Sequence, residues 1–197
     1  MSAAANTRDG GMAELSALDR PVVMVGLMGA GKSCIGRRLA RCLGVNFVDS
    51  DVEIEDAAGC SINEIFEKYG ETYFRDGERR VMQRLLKGDP GVLAAGGGAF
   101  INNQTRELIR RHAISVWLRA DIDTLCDRTK GRKHRPLLNT GEARATLQGL
   151  IDKRYPVYAK ADLTVDTAND GPNVTCLRVL KALEKYTGAP LAASEPQ

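Results

Sequence analysis

The run Gly26-Leu27-Met28-Gly29-Ala30-Gly31-Lys32-Ser33 has the spacing G-x-x-x-x-G-K-S and directly follows the apolar stretch Val22-Val23-Met24-Val25. Glycines at these places let the backbone curl so that successive N–H groups point at phosphate oxygens. Lys32 then reaches the outer phosphates and the Ser33 hydroxyl is offered to Mg²⁺. Ile35, Leu39 and Leu43 recur at the spacing of one helix face, so a helix is predicted to start at the loop and aim its N-terminus at the anion. A glycine turn without chemistry would need neither the lysine nor the serine.

Four further segments carry side chains suited to the same chemistry. Asp49 and Asp51 follow the apolar run 45–48, and if the strand continues they point the same way; one carboxylate then supports the Mg²⁺ shell and the other holds or deprotonates an acceptor hydroxyl. Either aspartate alone would equally serve as a helix cap. Arg75 and Glu78 lie at i and i+3, where the acid can orient the guanidinium toward a substrate carboxylate; on spacing alone a solvated surface ion pair accounts for them as well. Gly96-Gly97-Gly98 ends the run 92–95, which fits either close approach of a ligand or a flexible loop. Arg128-Thr129-Lys130-Gly131-Arg132-Lys133-His134-Arg135 is the densest basic run. It lacks the interleaved aromatics of a nucleic-acid surface, and Gly131 and Arg135 suit a lid over residues 128–140 that closes on ATP. Arg154, in Arg154-Tyr155-Pro156-Val157-Tyr158, reads in isolation as a helix-terminal cation.

These segments need a frame that brings them together. With 197 residues, 43% of them hydrophobic, the chain can bury a core without disulfides or structural metal, and one domain over residues 21–187 is expected between tails 1–20 and 188–197. A net charge of +3 does not argue for nucleic acid, and no stretch approaches the length of a membrane span. The first residues have no continuous apolar segment, so no secretory signal is expected. Five scattered cysteines, with no CxxC pair, read as buried thiols in a reducing compartment, the cytoplasm. Apolar runs at 22–25, 45–48, 92–95, 114–118 and 163–165 alternate with helical patterns, the rhythm of a parallel α/β sheet. Ser61-Ile62-Asn63-Glu64 forms a capping box for a helix that Gly70 stops. A second helix then carries Phe74 to Leu86, and Val174, Leu177, Leu180 and Leu183 mark a closing helix that ends at Gly188. Sheets of this kind bind ligands at the carboxyl ends of their strands, where each loaded segment begins.

In order and spacing, G-L-M-G-A-G-K-S, D-S-D, F-R-D-G-E, G-G-G-A, R-P-L-L and K-R-Y-P-V-Y resemble the shikimate kinase family along residues 22–186. The resemblance implies a P-loop, nucleoside-monophosphate-kinase-like fold: a five-stranded parallel sheet between helices with strand order 2-3-1-4-5. It implies ATP as co-substrate, bound by Gly29, Ala30, Gly31, Lys32, Ser33 and Cys34 with Arg128 near the adenine and Arg135 as the lid arginine. Mg²⁺ would be held by Ser33 and, through water, by Asp49. Shikimate would be gripped at its hydroxyl by Asp51, clamped at its carboxylate by Arg75 and Arg154, and faced by Gly97 and Gly98, in an acid-binding region spanning about 49–80. Lys32, Asp51 and Arg135 would be the catalytic set. A monomer without nucleic-acid or membrane partners is expected. Cys34 departs from the threonine usual after the loop serine, and the segment 166–172 offers no arginine to the adenine. Kinases of gluconate or nucleoside monophosphates, and a silent metabolite-binding regulator, are the rival readings; turnover of ATP with shikimate separates them.

Overall fold

The computed structural model describes residues 18–89, 91–130 and 143–191. Five strands, β1 (Val22–Val25), β2 (Phe47–Asp49), β3 (Val92–Ala94), β4 (Ile114–Arg119) and β5 (Leu163–Asp166), form one sheet in the order β2-β3-β1-β4-β5. Every pairing is parallel. The apolar runs are fully buried in β1 and β3 because helices cover both faces. The expected strand order is therefore the observed one.

Register decides where the chemistry meets. Asp49 pairs with Ala94, Ala94 with Met24, and Val25 with Trp117, so β2, β3, β1 and β4 end at one level. The chain winds to one side of β1 through β2 and β3, then crosses to β4 and β5, which opens a crevice beyond the central strand.

Helix α1 (Lys32–Leu43) follows β1 and buries Ile35 and Leu39. Helix α2 (Ser50–Ala58) begins at once after β2, so the strand does not continue through Asp51 as expected. Asp49 itself ends β2: its Oδ1 accepts the Asp51 N–H at 3.2 Å, the bond of a helix cap. The Ser61 capping box is present and opens α3 (Ile62–Leu85). At Gly70, φ 78° and ψ 177° break the helical path, after which the helix resumes; the glycine interrupts the element without ending it. A small separate core of Ile54, Ile65, Phe74 and Val81 holds α2 against α3.

Helices α4 (Asn103–His112), α5 (Ile122–Thr129), α6 (Ala143–Tyr158) and α7 (Pro172–Thr187) complete the layers. On α7 the buried stripe is Thr175, Cys176, Val179, Leu180 and Leu183, whereas Val174 and Leu177 are each 41% exposed. Two residues assigned to tails belong to the core: Leu18 and Leu191 are each 5% exposed, and the Leu191 N–H reaches the Glu184 carboxylate at 3.2 Å. The cysteines also depart from expectation. Cys42 and Cys176 are buried, Cys60 and Cys126 are half-buried, Cys34 is exposed, and all five are free thiols.

Candidate active site

The loop between β1 and α1 holds its curve through Gly26, Gly29 and Gly31, with φ of 140°, 85° and 97°. Gly31 caps α1 without any side-chain bond, which leaves the first-turn N–H groups to an anion. Lys32 Nζ donates to Gly26 O at 3.0 Å and Leu27 O at 3.2 Å. The side chain thus folds back over its own loop and holds its charge against the loop carbonyls.

Ser33 Oγ donates to Asp49 Oδ2 at 2.6 Å. Asp49 therefore does both things its sequence position allowed, capping α2 and facing the phosphate loop. Among the described residues no group of three or more His, Cys, Asp or Glu gathers as a metal site. A hydroxyl beside one carboxylate is nevertheless a fitting donor set for Mg²⁺, which keeps waters and takes its remaining oxygens from phosphate.

A cavity of ≈ 330 Å³ is lined by Gly29, Gly31, Lys32, Ser33, Cys34, Arg128, Thr167, Pro172 and Thr175, among others. Arg128, on α5, donates to Thr167 Oγ1 at 2.9 Å and to Ala168 O. The segment after β5 thus borrows from α5 the arginine it lacks.

Across the crevice stand two carboxylates and two guanidiniums. Arg75 Nη1 meets Glu78 Oε2 at 2.8 Å, and Glu78 is 1% exposed, so this is no solvated surface pair. Desolvation raises the Glu78 carboxyl above its ordinary value, with Arg75 opposing. Desolvation also raises Asp51, aided by the negative charge of Asp49 and opposed by Lys32 and Arg75.

The glycine loop after β3 is shaped by these groups. A Cβ on Gly96 would lie 2.5 Å from Asp51 Oδ1 and 3.2 Å from Glu78 Oε1; one on Gly98 would lie 2.5 Å from Arg75 Nη1. Arg154 comes from α6 and donates to Gly97 O at 3.2 Å, away from any helix-end role. A Cβ on Gly97 would be 3.6 Å from Arg154 Nη1 and 3.8 Å from Gly26 O, which puts this one residue within contact range of both the guanidinium and the phosphate loop. Asp51, Arg75, Gly97, Gly98 and Arg154 are accordingly gathered at one end of the sheet, beside Lys32, Ser33 and Asp49. Arg135 and most of the lid expected over 128–140 lie outside the described residues.

The shikimate kinase profile matches residues 28–184 of this chain. A shikimate kinase of Paramagnetospirillum magneticum is 53% identical over 169 residues, covering 86% of this chain and 87% of its own. The chain belongs to the shikimate kinase family. Another relative, the shikimate kinase of Ruegeria pomeroyi, is 55% identical over 161 residues and covers 82% of this chain and 81% of its own. Among solved structures, the shikimate kinase from Acinetobacter baumannii in complex with shikimate aligns with a TM-score of 0.82 at 36% identity, over 86% of this chain and 96% of that one.

In this shikimate kinase family member, several residues that build the site are given no role by the sequence, although Ser50, Tyr155 and Tyr158 lie inside the D-S-D and K-R-Y-P-V-Y motifs. Ser50, buried between the two aspartates, accepts the Gly96 N–H at 3.0 Å and so ties the start of α2 to the glycine loop. Thr167, Pro172 and Thr175 line the cavity beside the phosphate loop from a segment of unremarkable composition. Tyr158, fully buried, donates its hydroxyl to Gly97 O. Trp117 packs edge-on against Tyr155 with centroids 4.9 Å apart, and its Cδ1 would meet a Gly26 Cβ at 3.5 Å.

Proposed function

We propose that this protein transfers the γ-phosphoryl group of ATP to the 3-hydroxyl of shikimate, giving 3-phosphoshikimate and ADP on the route to chorismate and the aromatic amino acids. The observation that carries this reading is the position of Gly97, where a side chain would begin 3.6 Å from Arg154 Nη1 and 3.8 Å from the Gly26 carbonyl of the phosphate loop. An acid whose carboxylate engages Arg154 and Arg75 then presents a hydroxyl across the ring to the phosphate loop. Two guanidiniums on one carboxylate fix the ring, and the fixed ring selects the hydroxyl.

Gly29, Ala30, Gly31, Lys32, Ser33 and Cys34 cradle the phosphates, and Arg128 borders the base. Lys32 exchanges its two carbonyl partners for phosphate oxygens and stabilises charge as it develops there. Asp51 receives the acceptor hydroxyl. A carboxyl raised by burial is a better proton acceptor than an ordinary aspartate, and the displaced proton is held there while the new O–P bond forms and the β–γ bridge breaks. Ser33 and Asp49 would hold Mg²⁺, which when bound neutralises phosphate charge. Arg135 is read as the lid arginine from its place in the R-P-L-L motif alone. A monomer in a cytoplasmic setting remains the expectation; no helix among the described residues is long and apolar enough to cross a membrane.

A coupled ADP-release assay with Mg²⁺, ATP and shikimate, run beside gluconate and nucleoside monophosphates, tests the reading. Turnover dependent on shikimate is expected; turnover with another acceptor and none with shikimate would overturn it.

A further inference from the structure

The Gly97 carbonyl is the point at which the glycine loop is tied to α6. Its neighbours are satisfied within the backbone: Gly96 O accepts from Ala99 N at 3.0 Å and Gly98 O from Ile101 N at 3.1 Å. Gly97 O instead takes two side chains, Arg154 Nη1 at 3.2 Å and the Tyr158 hydroxyl, which together use both of its lone pairs.

These two donors differ in what else they can do. Arg154 is half-buried and faces the crevice. Tyr158 is 1% exposed, with its ring against Trp117 and Phe100 at centroid distances of 6.0 and 6.5 Å. Burial pushes its hydroxyl up to about 12, opposed by the charge and hydrogen bond of the neighbouring Arg154, so it remains a donor through the working pH range. Pro156 removes one N–H from the last turn of α6, and a second tyrosine, Tyr155, donates to Ala120 O just past β4. Side-chain hydroxyls therefore moor the turn that carries Arg154 to the ends of two strands.

We infer that Tyr158 is a positioning residue of the acid subsite, holding the Gly97 carbonyl so that Arg154 is free to turn from it to the substrate carboxylate. This rests on the reading of Arg154 as an acid ligand. Without the hydroxyl, Arg154 is the side chain left to satisfy a part-buried carbonyl, and every acid that binds must strip it away. The acid and the protein's own backbone then compete for one guanidinium. The phosphate-loop groups read as nucleotide ligands take no part in that competition.

Tyr158→Phe keeps the ring and removes the competition's relief. The expected result is a shikimate KM raised about tenfold, with ATP KM and saturated kcat unchanged within about twofold. In an Arg154→Ala background the same substitution is expected to leave shikimate KM where Arg154→Ala alone has put it, because the contested group is gone. Tyr155→Phe, which loses only the tie to Ala120, lowers the melting temperature without the acid-selective effect. Should Tyr158→Phe melt near the assay temperature, calorimetric titration with shikimate in the cold gives the same comparison. An unchanged shikimate affinity, an equal rise in both KM values, or a full effect that persists in the Arg154→Ala background would overturn the inference. Arg154→Ala with normal shikimate KM would remove the acid-ligand reading and this inference with it, whereas failure of Tyr158→Phe beside a damaged Arg154→Ala removes the inference alone.

Discussion

Arg75 is held from behind by Glu78: its Nη1 lies 2.8 Å from a carboxylate that is almost wholly buried, its Nε and Nη2 face the exposed Glu71 at 3.3 and 3.4 Å, and the guanidinium fills the space a side chain on Gly98 would need. A buried acid of this kind fixes the direction of the arginine, and the direction is what a planar carboxylate reads. Glu78→Ala should therefore weaken acid use with the arginine still present. We expect shikimate KM to rise by about tenfold or more at nearly unchanged ATP KM, measured by steady-state kinetics over both substrates.

Glu78→Gln separates stability from function. The folded protein raises the Glu78 carboxyl above its ordinary 4.5, chiefly by desolvation, so the native state binds the proton more tightly than the unfolded chain. Stability from this group is then fullest below that ordinary value and is lost as pH rises through the raised one. Gln carries no such loss. The variant should melt higher than the parent at neutral pH, with the gap closing in acid, while its shikimate KM rises; melting curves across pH check the sign.

Lys32→Ala removes the cation from the place where phosphoryl charge develops. Turnover should fall by on the order of a hundredfold or more, and the rate at saturating ATP is the quantity to compare. Near-parent turnover would mean that the lysine does no more than brace its own loop.

Asp49 serves α2 and Ser33 at once, and two substitutions divide the roles. Asn keeps an oxygen for the cap but drops the charge, so Asp49→Asn should melt like the parent and need more Mg²⁺ for half-maximal rate. Asp49→Ala loses the cap too, at a further cost of about 1 kcal/mol in stability. Magnesium titrations and denaturant curves on both variants resolve the pair.

Gly98→Ala puts a methyl group where Arg75 Nη1 now sits, 2.5 Å from the new Cβ. The obstructing group is the far end of a flexible side chain, so the fold should tolerate the change while the guanidinium is pushed aside. Shikimate KM should increase with little shift in melting temperature; a large drop in melting temperature would show that the loop backbone, and not Arg75, had yielded.

Much of this arrangement can be read from residue order. The phosphate loop, the strand sequence and the placing of charged residues after strand ends all follow from local pattern plus the rule that parallel sheets present their ligands at one edge. Alternation along a strand failed at Asp51, because Asp49 is also a good cap and turns the chain into a helix one residue too early; Asp51 reaches the crevice from the first turn of α2 instead. The buried face of α7 was misjudged because Thr175 and Cys176 pack inward while Val174 and Leu177 do not, a distinction that hydrophobicity ranks the wrong way. Leu18 and Leu191 gave no periodic signal, being single apolar residues in polar surroundings. Ser50 and Tyr158 act on the glycine loop through contacts across 46 and 61 residues of sequence, and no local spacing encodes a partner that distant.

Trp117 is the chain's single tryptophan. Its indole nitrogen is buried without a hydrogen-bond partner among the described residues, and its ring lies between the base of the phosphate loop and the tyrosines that moor α6. An indole in so dry a setting emits to the blue of one in water, with an intensity set by the rings and dipoles it touches. The protein thus carries one native fluorophore packed between the base of the phosphate loop and the mooring tyrosines, and its own light is expected to report rearrangement of either with no label attached.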